Sequence, residues 1–90
     1  MDLSIVISLY NEEESLRELI AWIEKAIAQS YLKGKEYEII MINDGSTDSS
    51  WRVIEELAQD NSHIRAISFR RNYGKSAALF EGFKAAQGKV

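Results

Sequence analysis

The sequence has 90 residues, no cysteine and a formal net charge of −3. This length allows one small domain or part of a larger one, and 46% apolar with 28% charged residues is typical of an ordinary globular protein. The lack of cysteine excludes disulfides and thiolate metal sites, and the acidic balance argues against a nucleic-acid partner.

The chain begins with an apolar, largely β-branched run over residues 3–9, which predicts a strand buried on both faces. Asn11 and Glu14 follow with the spacing of a capping-box variant and predict the start of a helix. The inward stripe of this helix is expected to contain the apolar residues at helical spacing: Leu16, Leu19, Ile20, Ile23, Ala26 and Ile27.

A second strand is predicted over residues 37–42, and Ser46 or Thr47 is expected to cap the helix after it. Between them lies the pair Asp44-Gly45, which is found both at hairpin tips and at the ends of buried strands. The residues that follow have helical rather than alternating periodicity. We therefore expect Asp44 to end a strand and Gly45 to allow a tight turn. The inward face of the second helix is expected to contain Trp51, Ile54, Leu57 and Ala58.

A third strand is predicted over residues 64–69 and a third helix over residues 76–87, with Gly88 ending it. The inward face of this helix is expected to contain Ala77, Phe80 and Phe83, together with Ala86 or Ala78. Strand and helix thus alternate three times, which predicts an α/β fold: a three-layer, Rossmann-like parallel sheet in the order β-α-β-α-β-α. The loops after the strands then share one edge of the sheet, where ligands bind in such folds.

The first of these loops offers Tyr10 and Glu12. A planar ring can stack on a base, and a carboxylate can accept hydrogen bonds from ribose hydroxyls or a base N–H. The alternative is that residues 11–14 only cap the helix and that Tyr10 packs against its first turn. In the second loop, Asp44 could bind a base or a ribose, or it could bind only nearby backbone N–H groups.

The third loop is basic, with Arg70, Arg71 and Lys75 around Gly74. Cations close to a helix N-terminus can meet phosphate oxygens. Lys75 is the better candidate because the glycine before it allows the backbone to approach a ligand, whereas the two arginines are more simply explained as solvated. His63 lies in a polar turn without an expected partner, and neither a G-x-G-x-x-G nor a P-loop motif occurs.

Taken in series, "VISLYNEEESL", "YEIIMINDGSTDSS" and "FRRNYGKSAALFEGFKAAQG" resemble the amino-terminal part of family 2 glycosyltransferases, especially the dolichyl- and polyprenyl-phosphate sugar synthases. The resemblance implies a GT-A fold that binds a nucleoside-diphosphate sugar and transfers the sugar to an acceptor with inversion. It also implies that Tyr10, Glu12 and Asp44 contact the nucleoside. Ser8 stands where many relatives have a proline whose backbone helps to frame the base.

The resemblance further implies assistance by Mg²⁺ or Mn²⁺, bound by an acidic motif that would follow Val90. We therefore expect residues 1–90 to be the nucleotide-sugar-binding part of a glycosyltransferase domain, inactive alone and prone to self-association through exposed edges and apolar surface. The residues do not identify the acceptor of the parent enzyme, and the resemblance offers a lipid phosphate as one candidate. The alternative from another class is a non-catalytic, flavodoxin-like interaction module.

The amino terminus does not resemble a signal peptide, because Asp2 stands where a basic segment is expected and Ser4 and Ser8 interrupt the apolar run. No stretch of the sequence approaches the ~20 apolar residues that span a bilayer. We therefore expect a cytoplasmic location, with the parent enzyme at the cytoplasmic face of a membrane.

Overall fold

The computed structural model describes residues 2–30 and 34–87. Strands and helices alternate as predicted: β1 (Leu3–Leu9), α1 (Leu16–Ala28), β2 (Tyr37–Asp44), α2 (Ser50–Asp60), β3 (Ile64–Phe69) and α3 (Lys75–Ala85). No helix in these two ranges is long and apolar enough to cross a membrane. The second strand extends two residues beyond its predicted end, so that Asp44 is its last residue.

The three strands of the described residues form a parallel sheet in the order β1-β2-β3. The register pairs Leu9 with Asn43 at one junction and Asp44 with Phe69 at the other. The carboxyl ends of all three strands therefore lie at one edge of the sheet, and the loops that follow them meet there. Asp44 begins a turn into a helix and not a hairpin, as the helical periodicity predicted.

The central strand β2 supplies the core on both faces of the sheet. Ile39 and Met41 point to the face covered by α1 and α2, whereas Ile40 and Ile42 point to the opposite face, where Ala78 of α3 packs. All four strand residues are completely buried. This alternation follows from the two-residue repeat of a strand, and it confirms the predicted three-layer architecture.

The predicted helix caps were wrong. Helix α1 begins after Ser15, and α2 begins after Ser49, so neither Asn11 nor Ser46 or Thr47 occupies an N-cap position. Asn11 has a positive φ of 52° and directs its side chain to the loop after β2 instead. A side chain in this conformation serves a tertiary contact, which local spacing does not reveal.

The predicted inward face of α3 was also wrong in part. Phe80 and Phe83 are 60% and 49% exposed, whereas Ala78 and Gly82 are buried against the sheet. A Cβ atom on Gly82 would collide with the side chain of Val6 on β1. The helix thus approaches the sheet too closely for aromatic side chains, and small residues form its inner face.

A buried carboxylate lies at the amino end of β2. Glu38 is 2% exposed and accepts hydrogen bonds from Ser4 Oγ (2.5 Å), Arg65 Nη1 (2.8 Å) and the backbone N–H of Gln87 (2.7 Å). Burial alone would raise the pKa of the Glu38 carboxyl, but these hydrogen bonds and the charge of Arg65 outweigh it and lower the pKa from 4.5 to about 2. Arg65 also donates a hydrogen bond to the carbonyl oxygen of Ala85. The hydrogen bonds around the Glu38 carboxylate therefore connect all three strands to the end of α3.

His63 has partners at this same edge, contrary to the prediction. Its ring stacks on that of Tyr37 with centroids 4.0 Å apart, and its Nδ1 lies 3.0 Å from the Tyr37 carbonyl oxygen. The contact between Nδ1 and a carbonyl requires a proton on that nitrogen. The histidine is therefore part of the packing between β2 and β3.

Candidate functional site

The loops at the carboxyl edge of the sheet enclose a cleft of about 270 Å³. Every residue predicted to bind a nucleotide sugar lines it, and three further residues complete its walls: Ser8, Leu9, Tyr10, Glu12, Asp44, Asn72, Gly74 and Lys75. The first loop contributes the ring and a carboxylate, the second strand an acid, and the third loop a cation. The fold thus brings together side chains that are separated by up to about three quarters of the chain, from Ser8 to Lys75.

Asp44 forms the junction between the second strand and the third loop. Its carboxylate accepts hydrogen bonds from the backbone N–H groups of Tyr73 (2.8 Å) and Gly74 (3.0 Å), one on each oxygen. The backbone role that the sequence left open is therefore present. A carboxylate offers about four lone-pair sites, so the two remaining sites can still accept hydrogen bonds at the cleft.

Gly45 allows the second and third loops to cross closely. Its φ of +70° lies in the left-handed region, and a Cβ atom at this position would collide with the backbone of Arg71 and Asn72. A glycine is therefore required both by conformation and by space. This agrees with the tight turn that was predicted after Asp44.

The first loop exposes its two candidate side chains at the cleft. Tyr10 is 45% exposed, so a large part of its side chain is available for contact with a ligand. Glu12 accepts a hydrogen bond from Ser15 Oγ (3.1 Å) through one carboxylate oxygen, and its backbone N–H donates to Ser50 Oγ (2.9 Å). Glu12 thus binds the N-cap residue of α1 and lines the cleft at the same time.

Asn11, which the sequence analysis treated as a helix cap, joins the first loop to the second. Its side-chain oxygen accepts hydrogen bonds from the backbone N–H groups of Thr47 (2.8 Å) and Asp48 (3.3 Å), and its side-chain nitrogen donates to Thr47 Oγ1 (3.3 Å). Asparagine is enriched among residues with positive φ, and this was the one local signal that could have indicated its conformation.

The start of α2 is stabilised by Asp48, whose Oδ1 accepts a hydrogen bond from the backbone N–H of Ser50 (2.8 Å). Burial would raise the pKa of the Asp48 carboxyl, but the hydrogen bonds from Ser50 outweigh it and the pKa is lowered. An ionised acid here also complements the positive end of the helix dipole. Asp48 faces away from the cleft, against residues 11–15.

Of the three basic side chains at the third loop, one lines the cleft and two lie outside it. Lys75, the first residue of α3, lines the cleft directly after Gly74, which has a φ of +95°. Arg70 and Arg71 are exposed outside it, and the Arg71 guanidinium lies 4.9 Å from the centroid of the Tyr73 ring. This placement separates the better phosphate candidate from the two arginines that were interpreted as solvated.

The cleft does not fit a divalent cation with the side chains at hand. Within residues 2–30 and 34–87, no group of three or more histidine and acidic side chains is placed to hold a metal ion. Mg²⁺ prefers six oxygen ligands, and the two acids of the cleft are Glu12 and Asp44, of which the second already accepts a backbone hydrogen bond on each oxygen.

Comparisons with known proteins show the family and the fold of the chain. The model of glycosyl transferase family 2 matches residues 4–90. Undecaprenyl-phosphate 4-deoxy-4-formamido-L-arabinose transferase of Proteus mirabilis (strain HI4320) is 42% identical over 88 residues, which are 97% of this chain and 26% of that protein. The chain therefore spans about a quarter of the length of this relative.

Solved structures share the fold at low sequence identity. The mannosyltransferase PcManGT of Pyrobaculum calidifontis, in complex with GDP-Man and Mn²⁺, superposes with a TM-score of 0.80 at 17% identity, over 94% of this chain and 24% of that one. S. aureus TarS 1-349 in complex with UDP gives a TM-score of 0.76 at 22% identity, over 98% of this chain and 25% of that one. The fold is that of GT-A glycosyltransferases, and the family match, which covers nearly the whole chain, shows that this chain belongs to glycosyl transferase family 2.

Proposed function

We propose that the cleft at the carboxyl edge of the sheet binds the nucleoside part of a nucleoside-diphosphate sugar. Residues 1–90 would then be the amino-terminal, nucleotide-sugar-binding part of a glycosyltransferase domain. The observation that carries this proposal is that Ser8, Tyr10, Glu12, Asp44 and Lys75, which come from three separate loops, line a single cleft. The family of the chain and the GT-A fold of its neighbours support the same assignment.

Each residue has a role that its chemistry allows. The exposed ring of Tyr10 stacks on the base, and the backbone at Ser8 frames it. Glu12 accepts hydrogen bonds from ribose hydroxyls or a base N–H, and Asp44 accepts a further bond with its remaining lone pairs. Lys75, at the start of α3, meets the diphosphate.

The activity of the whole protein is proposed from its relatives. The Proteus transferase is named for undecaprenyl phosphate, which supports transfer of the sugar to a polyprenyl phosphate. Inversion at the sugar and a location at the cytoplasmic face of a membrane are added to this proposal from the resemblance to polyprenyl-phosphate sugar synthases. The Mn²⁺ complex of the mannosyltransferase supports the use of a divalent cation, Mg²⁺ or Mn²⁺, by the whole protein. We also propose weak self-association of the isolated chain, because aromatic side chains such as Phe80 are exposed. Sedimentation that shows only monomer at every concentration would contradict it.

Titration of the protein with UDP and GDP tests the site. Tyr10→Ala removes the stacking surface and Asp44→Asn replaces one acceptor by a donor, so each variant is expected to weaken nucleotide binding about ten-fold or more. The dissociation constants are measured by calorimetry or by NMR chemical-shift titration.

Tyr73→Ala is the matched control for Tyr10→Ala. Tyr73 is a similarly exposed tyrosine on the third loop, 55% exposed, but it lies outside the lining of the cleft. Its removal is expected to leave the dissociation constant unchanged. The site assignment fails if neither Tyr10→Ala nor Asp44→Asn alters binding, or if the control alters it equally.

A further inference from the structure

The first loop contains one residue that faces away from the cleft while both of its neighbours line it. Tyr10 and Glu12 belong to the cleft, whereas Asn11 between them does not. Its side-chain oxygen instead accepts the backbone N–H groups of Thr47 (2.8 Å) and Asp48 (3.3 Å) in the loop after β2.

The second loop returns hydrogen bonds to the first. The backbone N–H of Asn11 donates to Ser46 Oγ (3.0 Å), and the backbone N–H of Glu12 donates to Ser50 Oγ (2.9 Å). Ser50 is completely buried at the first turn of α2, so its hydroxyl is held by the packing of the core. The first loop thus both accepts hydrogen bonds from the second loop and donates them to that loop and to the start of α2.

The backbone conformation makes this exchange of bonds possible. The φ of 52° at Asn11 turns the chain so that one side chain and two successive N–H groups all meet the second loop. Asparagine, aspartate and glycine adopt this conformation at least cost. The position therefore combines a tolerated backbone with an amide that can both accept and donate.

We propose that Asn11 is the positioning residue of the cleft: it holds Tyr10 and Glu12 at their distance from Asp44 without touching the ligand. This inference rests on the proposed nucleotide-binding function. A misplacement of binding groups by about an ångström is enough to lower their effect strongly. Asn11 therefore acts on affinity through its neighbours.

Two substitutions separate the amide from the backbone. Asn11→Gly keeps the positive φ but removes the side chain, and it is expected to raise the dissociation constant for UDP or GDP about ten-fold. Asn11→Asp keeps the acceptor for both N–H groups, and Thr47 Oγ1, already 3.4 Å from the Asn11 oxygen, can donate in place of accepting. This variant is expected to bind within about three-fold of the original protein.

Asn61→Gly is the matched control. Asn61, at the far end of α2, also bridges two elements, since its side chain donates to Glu24 Oε2 (3.0 Å) and accepts from the N–H of His63 (2.9 Å). Its loss is expected to lower stability in urea while leaving nucleotide affinity unchanged. Exchange of the Thr47 and Asp48 amide protons, followed by NMR without nucleotide, is expected to accelerate only in Asn11→Gly.

The outcomes distinguish this inference from the proposed function. If the unmodified protein binds UDP or GDP and Tyr10→Ala weakens it, but Asn11→Gly binds as well as the original or Asn11→Asp binds as poorly as Asn11→Gly, the positioning role is overturned alone. Unchanged amide exchange in Asn11→Gly overturns it as well, with or without nucleotide. If the unmodified protein binds neither nucleotide, the proposed function fails and the positioning role fails with it.

Discussion

Strand β2 carries a buried acid at each end, Glu38 at the amino end and Asp44 at the carboxyl end, and the surroundings of the two differ. Both are 2–3% exposed, and both join β2 to a segment distant in the chain. Glu38 accepts hydrogen bonds from side chains on both neighbouring strands and from one backbone N–H after α3. Among the residues that the structure describes, Asp44 accepts hydrogen bonds only from backbone N–H groups of one loop, beside the cleft.

The two acids therefore differ in how much hydrogen-bond acceptor capacity their protein donors leave unused. An acid whose oxygens meet a serine, an arginine and a main-chain donor is satisfied and serves stability. Asp44 keeps acceptor capacity next to an exposed ring and a lysine, and loops that are joined by hydrogen bonds form its surroundings. Burial and charge alone would not have distinguished Glu38 from Asp44, whereas the identity of their donors does.

The largest effect is expected from a substitution next to Asp44, at the carboxyl end of β2. Gly45→Ala adds a methyl group that collides with the backbone of Arg71 in a left-handed conformation. We expect the free energy of unfolding in urea to fall by about 3 kcal/mol or more. Gly34→Ala is the control, because Gly34 has a similar φ of +84° but a Cβ atom added there would meet no atom of the described residues within 4 Å, so only the conformational cost of about 1 kcal/mol is expected. Equal losses in the two variants would contradict the close crossing of the loops.

The second largest effect is expected from a substitution of Glu38, at the amino end of β2. Glu38→Gln leaves Arg65 without its anionic partner and is expected to lower the free energy of unfolding by about 2–3 kcal/mol at pH 7, with nucleotide affinity unchanged. Glu55→Gln, on the exposed face of α2, is the control and is expected to change stability by less than about 0.5 kcal/mol.

The pH dependence of the same site follows from its lowered pKa. Because the Glu38 carboxyl has a pKa of about 2 when folded and 4.5 as its ordinary value, its stabilisation is fully present above pH 4.5 and is lost as the pH falls toward 2. Most of about 3 kcal/mol should be lost over this window, as an upper estimate. Urea unfolding at pH 6, 4 and 3 measures it. The difference between the original protein and Glu38→Gln should shrink as the pH falls, and a constant difference would contradict the assignment.

The smallest effect is expected from a substitution of Lys75, and it tests which part of the ligand this residue contacts. Lys75→Gln removes the cation that we assign to the diphosphate, so the affinity for UDP is expected to fall about three- to five-fold at low salt and less at high salt. Uridine, which lacks the diphosphate, should bind equally well to both forms. Lys84→Gln, near the other end of α3, should leave both affinities unchanged. An equal loss for uridine and UDP would place Lys75 at the nucleoside instead.

Much of the fold and of the candidate site could be predicted because the signals are local. The apolar runs at residues 3–9, 37–42 and 64–69, alternating with helical spacing, indicate parallel strands joined by helices. Parallel topology then places Tyr10, Glu12, Asp44 and Lys75 at one edge before any coordinate is known. The binding roles of these residues stay predictions until the titrations are done.

The order of the elements, the parallel arrangement of the strands and the edge that carries the cleft follow from periodicity along the chain, so they could be read before the fold was known. The roles of Asn11, Glu38 and Gly82 could not, because each depends on contacts that form only in the folded chain. Asn11 bonds to a loop about 35 residues away, Glu38 collects donors from three other segments, and Gly82 allows a helix to approach β1. The spacing of residues along the chain does not reveal these partners, because the residues become neighbours only when the helices pack on the sheet.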